Sequence, residues 1–270
     1  RRGLELKDVA IAAAREAGKL MLDWRKDFPP GPVTMAYKGA KDVITEVDGL
    51  AEESIIKKIQ QHYPQHNILA EESGDVTAGQ SDSPYTWVID PLDATANYAA
   101  DLATSCVSIG LAEGEQVVLG VVYNPFRDEL FVAERGKGAY LNDYRLSVGQ
   151  QEQLQKSLVC FDLGYNEARA LLQLRQATFL RPRVRTLRIL GSSALSLCYV
   201  ACGRFDLFFH RSLGPWDLAA GMLMVEEAGG ILTNDQNQQI SYKSKSVVTA
   251  NPTIHRLFFE ALQEYKEVTA

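Results

Sequence analysis

No run in this 270-residue chain approaches the ~20 consecutive apolar residues that span a bilayer. That excludes a membrane partner of the helical kind. Positive charge is also short: 28 Lys and Arg stand against 34 Asp and Glu, a formal net charge of −6. An acidic surface repels phosphodiester backbones and argues against a nucleic-acid partner. The local exception, Arg181, Arg183, Arg185 and Arg188, is interleaved mostly with apolar residues and reads as a partly exposed strand or loop. Cysteine is sparse. Cys106, Cys160, Cys198 and Cys202 show no C-x-x-C spacing, which argues against zinc, redox and disulfide frameworks alike. Cys198 and Cys202, four apart in an apolar run, read as core packing. Scattered free thiols suit a reducing cytoplasm. Arg1-Arg2-Gly3 leads into an amphipathic segment rather than a signal peptide's unbroken apolar stretch. A dinucleotide motif is wanting too, because Gly136-Lys137-Gly138 lacks the third glycine and precedes a strand-like run.

What is present is a globular composition, 46% hydrophobic and 23% charged, long enough for one large or two smaller cores. Val9, Ala12, Ala13, Ala17, Leu20 and Trp24 recur at three- and four-residue steps and predict a helix over 4–26, stopped by Phe28-Pro29-Pro30-Gly31-Pro32. A second helix is expected over 45–63, closed by Pro64. Short β-branched or aromatic runs follow at 67–70, 85–89, 105–111, 116–123, 130–133 and 139–141. The polar stretch 148–156 predicts a boundary between an N-terminal α+β lobe (1–150) and a C-terminal α/β lobe (151–270). In the second half strands are expected at 158–161 and 205–209. Helices are expected at 167–178, 192–202, 215–228 and 253–265, the third closed by Gly229-Gly230. Such alternation argues for α/β layering.

Chemistry is written in four acidic segments. In Trp87-Val88-Ile89-Asp90-Pro91-Leu92-Asp93-Ala94-Thr95 an apolar strand runs into two aspartates three apart, at the end where α/β sheets place ligands. Pro91 stiffens the bend, and two carboxylates with the Leu92 carbonyl suit a hard divalent cation. A surface turn gives the same letters. Ile68-Leu69-Ala70-Glu71-Glu72-Ser73-Gly74 is a second strand running into acids, a pattern that solvated turns share. Asp217, in Trp216-Asp217-Leu218-Ala219-Ala220-Gly221, opens a helix, where an acid also serves the helix dipole. In Lys38-Gly39-Ala40-Lys41-Asp42-Val43-Ile44-Thr45-Glu46-Val47-Asp48, Thr45 and Asp48 have the spacing of a capped helix start.

Taken in order, these segments resemble the inositol monophosphatase family of Mg²⁺-dependent, lithium-sensitive phosphatases. The likeness runs from Lys38 to Gly230 through E-E-S-G, D-P-L-D-x-T and W-D-x-A-A-G…E-A-G-G, with Gly120-Val121-Val122-Tyr123-Asn124-Pro125 and Gly136-Lys137-Gly138-Ala139-Tyr140 between. The resemblance implies a layered αβαβα sandwich of the sugar-phosphatase type, a homodimer, and two or three Mg²⁺ per subunit. Glu71, Asp90 and the Leu92 carbonyl would hold a first ion. Asp90, Asp93 and Asp217 would hold a second, and Glu71 a third mainly through water. Asp48 and Thr95 would orient and deprotonate the attacking water, while the N–H groups of Ala94 and Thr95 face the phosphate. Gly191, Ser192 and Ser193 fall in the segment that meets the substrate, which Asp93 would also touch. Physics agrees, since four carboxylates in one cleft repel unless cations join them.

Two positions depart from the family pattern. Ala94 stands where glycine is usual; a methyl is harmless at negative φ but costs on the order of 1 kcal/mol at positive φ. His210 stands where inositol-specific members carry a ring-binding Glu, and Arg211 beside it is expected to take a second phosphate or a carboxylate. The substrate is therefore inositol-1-phosphate or another polyol or sugar monophosphate. The alternatives are fructose-1,6-bisphosphate, histidinol phosphate or a 3′-phosphonucleotide. A catalytically silent regulatory protein on the same scaffold is the reading from another class, with Ala94 as its support.

Overall fold

Five layers alternate between helices and sheets in the computed structural model, which describes residues 5–38, 43–77 and 81–269. The first layer is α1 (Leu6–Lys26) against α2 (Glu46–His62), with the small hairpin of β1 (Ala36–Tyr37) and β2 (Val43–Ile44) between them in sequence. Helix α1 buries Val9, Ala10, Ala13, Ala14, Ala17 and Met21 on one side; of the face expected from the sequence, Val9, Ala13 and Ala17 are buried, Ala12 and Trp24 are half-buried and Leu20 is exposed. The second layer is an eight-stranded sheet. Its strands are β3 (Asn67–Ala70), β4 (Gly74–Asp75), β5 (Tyr85–Asp93), β6 (Cys106–Glu113), β7 (Gln116–Asn124), β8 (Glu129–Glu134), β9 (Gly138–Leu141) and β10 (Tyr144–Arg145), ordered β10-β9-β8-β7-β6-β5-β3-β4. All its pairings are antiparallel except β3 with β5. A short helix, α3 (Thr95–Ala99), follows β5 directly.

Beyond β11 (Leu158–Phe161), α4 (Glu167–Leu180) and β12 (Thr186–Arg188), the chain enters α5 (Ser193–Ala201), β13 (Leu207–His210), α6 (Pro215–Glu227), β14 (Ile231–Thr233), β15 (Val247–Ala250) and α7 (Pro252–Thr269). Helices α5 and α6 pack on each other, α6 lies on β5 to β9, and α5 also meets β13 and β15, which makes this pair the middle layer. The fourth layer is the five-stranded sheet β12-β11-β13-β15-β14, mixed in direction. Helices α4 and α7 form the fifth. Three buried clusters fill the spaces. One lies under α1 and α2 (Ile55, Trp87, Ile109), one around α5 and α6 (Leu197, Phe208, Leu223), and one beneath α7 (Phe161, Phe209, Phe258).

Helix α6 sits close on the large sheet because two strand residues have no side chain. A Cβ on Gly110 would lie 2.8 Å from Ala219 Cβ, and one on Gly120 would lie 2.6 Å from the Ala220 carbonyl oxygen. Real Cβ atoms never approach so closely. The seating brings the start of α6, with Asp217, to the end of β5.

Expected elements are present within a few residues of their predicted bounds, and the Arg181–Arg188 stretch does contain a strand. β14, β15 and the two-residue strands β1, β2, β4 and β10 were not expected. The second difference concerns β5, which does not stop at Ile89 as expected but runs on through Pro91 to Asp93, with its pairing shifted between Asp90 and Asp93. Residues 39–42 of the first acidic motif lie outside the described residues. Among the described residues no helix is long and apolar enough to cross a membrane.

Candidate active site

The shift in β5 decides where the acids point. Asp90 pairs with Ser108 and Asp93 with Cys106, so three steps on one strand match two on the other. In a regular strand residues three apart face opposite sides. One extra residue, a β-bulge, turns Asp93 back to the side of Asp90. Asp217 arrives from the first turn of α6, and one carboxylate oxygen from each of Asp90, Asp93 and Asp217 lies within 4.8 Å of the others. Glu71, just past the end of β3, lines the same cleft of about 400 Å³ as Asp90.

Burial lifts the pKa of each of these acids. It pushes Glu71 up to about 7 and raises Asp90, which the charges of Glu71, Asp93 and Asp217 raise further. Burial also raises Asp93, against hydrogen bonds from Ser192 and Ala194, and Asp217, with Asp93 adding to the effect.

Each acid is held by a different part of the chain. Asp93 Oδ2 accepts from Ser192 Oγ at 2.5 Å and Ala194 N at 2.9 Å, the start of α5. Asp217 Oδ2 accepts from Gly214 N at 2.6 Å, so its capping role and a place in the cleft coexist on one side chain. Asp48 also caps its helix and, fully buried, reaches the cleft through Thr95. Its Oδ2 accepts from Thr45 N (2.8 Å) and Thr45 Oγ1 (2.6 Å), while Oδ1 accepts from Thr95 Oγ1 at 2.8 Å. Thr95 Oγ1 is also 3.2 Å from the Leu92 carbonyl oxygen.

The turn behind Glu71 rests on Glu52, a buried residue of α2 that sequence reading missed. Its carboxylate accepts from Glu72 N (2.9 Å), Ser73 N (3.0 Å) and Ser73 Oγ. About one helical turn separates Glu52 from Asp48 on the buried face of α2, and only that position hinted at it. The Lys38 ammonium pairs with Glu71 and Glu72. Burial works against that charge, but the hydrogen bonds and charges of the two glutamates outweigh it and raise its pKa.

Ala94 has φ 72° and ψ 52°, the left-handed region. Of the two outcomes open to that position, the methyl is in the strained one.

At the other end of the cleft the sequence expectations divide. Gly191, Ser193 and His210 line it. His210 is buried, which lowers its pKa to about 4, and its Nδ1 accepts from Ser212 N at 3.0 Å. Ser192, expected to meet substrate, is fully buried and spends its hydroxyl on Asp93 and its lone pair on Leu195 N. Arg211 does not line the cleft. Its guanidinium is paired with Asp235 and bonded to Gln176, because β13 alternates sides and directs residue 211 away from the face of His210. Asn97 and Asp162 are among the lining residues that were not foreseen. Asn97 donates to the Leu190 carbonyl at 2.8 Å, and Asp162 Oδ1 accepts from Gly191 N at 2.8 Å.

A divalent cation fits the acidic end. Three convergent carboxylate oxygens, from Asp90, Asp93 and Asp217, are buried and repel one another, and burial with that repulsion raises their pKa, a penalty that a bound cation removes. All the donors are hard oxygens, the set that Mg²⁺ and Ca²⁺ take.

The chain is similar to known proteins. The family model described as the inositol monophosphatase family matches residues 4–267. Inositol monophosphatase 1 of Solanum lycopersicum is 39% identical over 264 residues, 96% of this chain and 95% of that one. A protein of Escherichia coli named Nus factor SuhB is 39% identical, covering 92% of this chain and 91% of its own. The solved structure of inositol monophosphatase from Anabaena (Nostoc) sp. superposes with a TM-score of 0.84 at 34% identity, covering 96% of this chain and 95% of that one. With match, fold and acidic cleft in agreement, the chain belongs to the inositol monophosphatase family and is a phosphatase.

Proposed function

We propose that the protein is a Mg²⁺-dependent phosphomonoesterase that hydrolyses inositol-1-phosphate or a related polyol or sugar monophosphate, with water as the nucleophile. The observation that carries this reading is the meeting of Asp90, Asp93 and Asp217 within 4.8 Å, beside the Asp48–Thr95 hydrogen bond. Glu71, Asp90 and the Leu92 carbonyl would hold one Mg²⁺; Asp90, Asp93 and Asp217 a second; Glu71 a third, mainly through water. When bound, these ions supply positive charge to the phosphoryl oxygens and make a nearby water more acidic.

The remaining work falls to the chain. Thr95 donates its hydroxyl proton to Asp48, which leaves its lone pairs to accept from the attacking water. The water's proton can then pass through Thr95 to Asp48. Burial keeps the Asp48 carboxyl above the ordinary carboxylate range, nearer to what a general base needs. The N–H groups of Ala94 and Thr95 would meet phosphate oxygens, and the leaving alcohol would lie towards Gly191, Ser193 and His210. Such positioning and charge neutralisation suffice for phosphoryl transfer. A homodimer and a cytoplasmic location belong to the same reading; family membership supports the first, and four free cysteines support the second.

The test is phosphate release from inositol-1-phosphate by wild type and Asp90→Asn, with Mg²⁺ and with chelator. Turnover is expected only with Mg²⁺, and to fall at least about a hundredfold in the variant. Turnover indifferent to both changes refutes the proposal. Fructose-1,6-bisphosphate, histidinol phosphate and a 3′-phosphonucleotide complete the panel. A tenfold preference for one of them, about 1.4 kcal/mol in transition-state binding, would reassign the substrate. A non-catalytic role is the second reading, supported by the name of the E. coli relative. Mg²⁺-dependent turnover lost in Asp90→Asn dismisses it.

A further inference from the structure

Asp162 is a carboxylate with half its capacity unspent. It sits just past the end of β11 and lines the cleft, near enough to Asp93 for that charge to raise its pKa further after burial. It is 5% exposed, and Oδ1 accepts from Gly191 N at 2.8 Å. Oδ2 is buried and has no hydrogen-bond partner. A buried polar atom without a partner costs free energy unless something supplies the missing bond. Nearby, Gln173 holds the Asp162 backbone carbonyl, which fixes the position of the side chain.

Charge narrows what that partner is. Among the described residues no Lys or Arg lines the cleft, and Arg211 is committed to Asp235 and Gln176. A second phosphate beside Asp162 would meet a carboxyl and no counter-charge. A hydroxyl suits it in either state, donating to the carboxylate or accepting from the carboxylic acid. The distinction is real here, because burial pushes Asp162 up to about 7. His210 agrees with an uncharged ligand. It is neutral, and with Nδ1 accepting from Ser212 N its proton is left on Nε2.

We propose that Asp162 determines substrate choice, its carboxyl group bonding a hydroxyl of the alcohol portion and so favouring neutral polyol monophosphates over bisphosphates. The inference rests on the phosphatase reading above and deepens it.

The experiment compares two esters in Mg²⁺: inositol-1-phosphate, rich in hydroxyls, and phenyl phosphate, which has none. In Asp162→Ala, kcat/KM for inositol-1-phosphate is expected to fall at least tenfold, mainly through KM, while phenyl phosphate stays within twofold and reports an intact fold. Asp162→Asn, whose amide can still meet a hydroxyl, is expected to fall less and to accept fructose-1,6-bisphosphate better than wild type does. An equal fall for both esters means a structural role and overturns the proposal, as does no fall at all. Calorimetric binding of the same two esters is read in parallel. A chain that binds them but turns over neither refutes the phosphatase reading, while selective loss of inositol-1-phosphate binding in Asp162→Ala still supports Asp162. Equal binding by wild type and variant, or none by wild type, overturns it.

Discussion

Replacing Ala94 by glycine sets two opposed effects against each other. At φ 72° and ψ 52° the alanine methyl crowds its own backbone, at a cost of about 1–2 kcal/mol for an L-residue. Glycine removes that cost but widens the unfolded ensemble, which offsets about 0.4–1 kcal/mol of the gain. The surroundings do not let the backbone relax. The Ala94 carbonyl accepts from Tyr98 N and Ser105 Oγ, each at 3.1 Å, and its neighbour Asp93 is pinned by Ser192 and Ala194. Strain should therefore win, and Ala94→Gly is expected to stabilise the protein by about 0.5–1 kcal/mol. For a chain of this size that is a rise in melting temperature of about 1–3 °C. Ala94→Val should go the other way, because a β-branched side chain tolerates the left-handed region worse. Thermal unfolding in buffer with fixed Mg²⁺ measures both, and turnover of Ala94→Gly should stay within about twofold, since the amide frame is unchanged. A glycine variant that melts below wild type, or a valine variant that melts with it, refutes the reasoning.

Glu52→Ala leaves the Glu72 and Ser73 amides without their acceptor; a loss of about 3 kcal/mol is expected in urea unfolding, with partial recovery in Glu52→Gln, and a loss under about 1 kcal/mol would show that the turn holds Glu71 unaided. Ser192→Ala removes both the cap of α5 and a donor to Asp93. It should lower stability by about 1–2 kcal/mol and raise the Mg²⁺ concentration for half-maximal turnover, whereas an unchanged Mg²⁺ requirement would mean that Asp93 is oriented without it. His210 is lowered from 6.5 to about 4, so the unfolded chain protonates first. Its neutral form imposes no penalty above pH 6.5, and about 3 kcal/mol of stability is withdrawn as pH falls from 6.5 through 4. His210→Gln should flatten that part of the stability–pH curve, and an unaltered curve would show that the imidazole protonates while folded.

Much of the site was legible in the sequence, because the acids of the cleft sit next to features that local sequence reports well. Asp90 and Asp93 end an apolar strand, Glu71 ends another, and Asp217 opens a helix. Asp48 shows why one letter supports two readings: the same carboxylate caps α2 through Thr45 and reaches Thr95. The sequence misjudged Ser192 and Arg211 for a shared reason. Each lies beside a residue that does line the cleft, and whether a neighbour points in or out depends on strand pleat and helix start rather than on proximity along the chain. Glu52, Lys38, Asn97 and Asp162 were silent because their partners are distant in sequence, up to 93 residues away for Asn97 and Leu190.

The sequence by itself determined the elements, the family and the identity of the acids, since periodicity, turn residues and short motifs act over a few neighbours. Tertiary structure alone decided that a bulge turns Asp93 to the side of Asp90, that Ala94 is left-handed, and that Arg211 faces away while Asp162 faces in. Those outcomes depend on how β5 registers against β6 and how closely α6 lies on the sheet. Both are set by packing between segments that no local pattern connects.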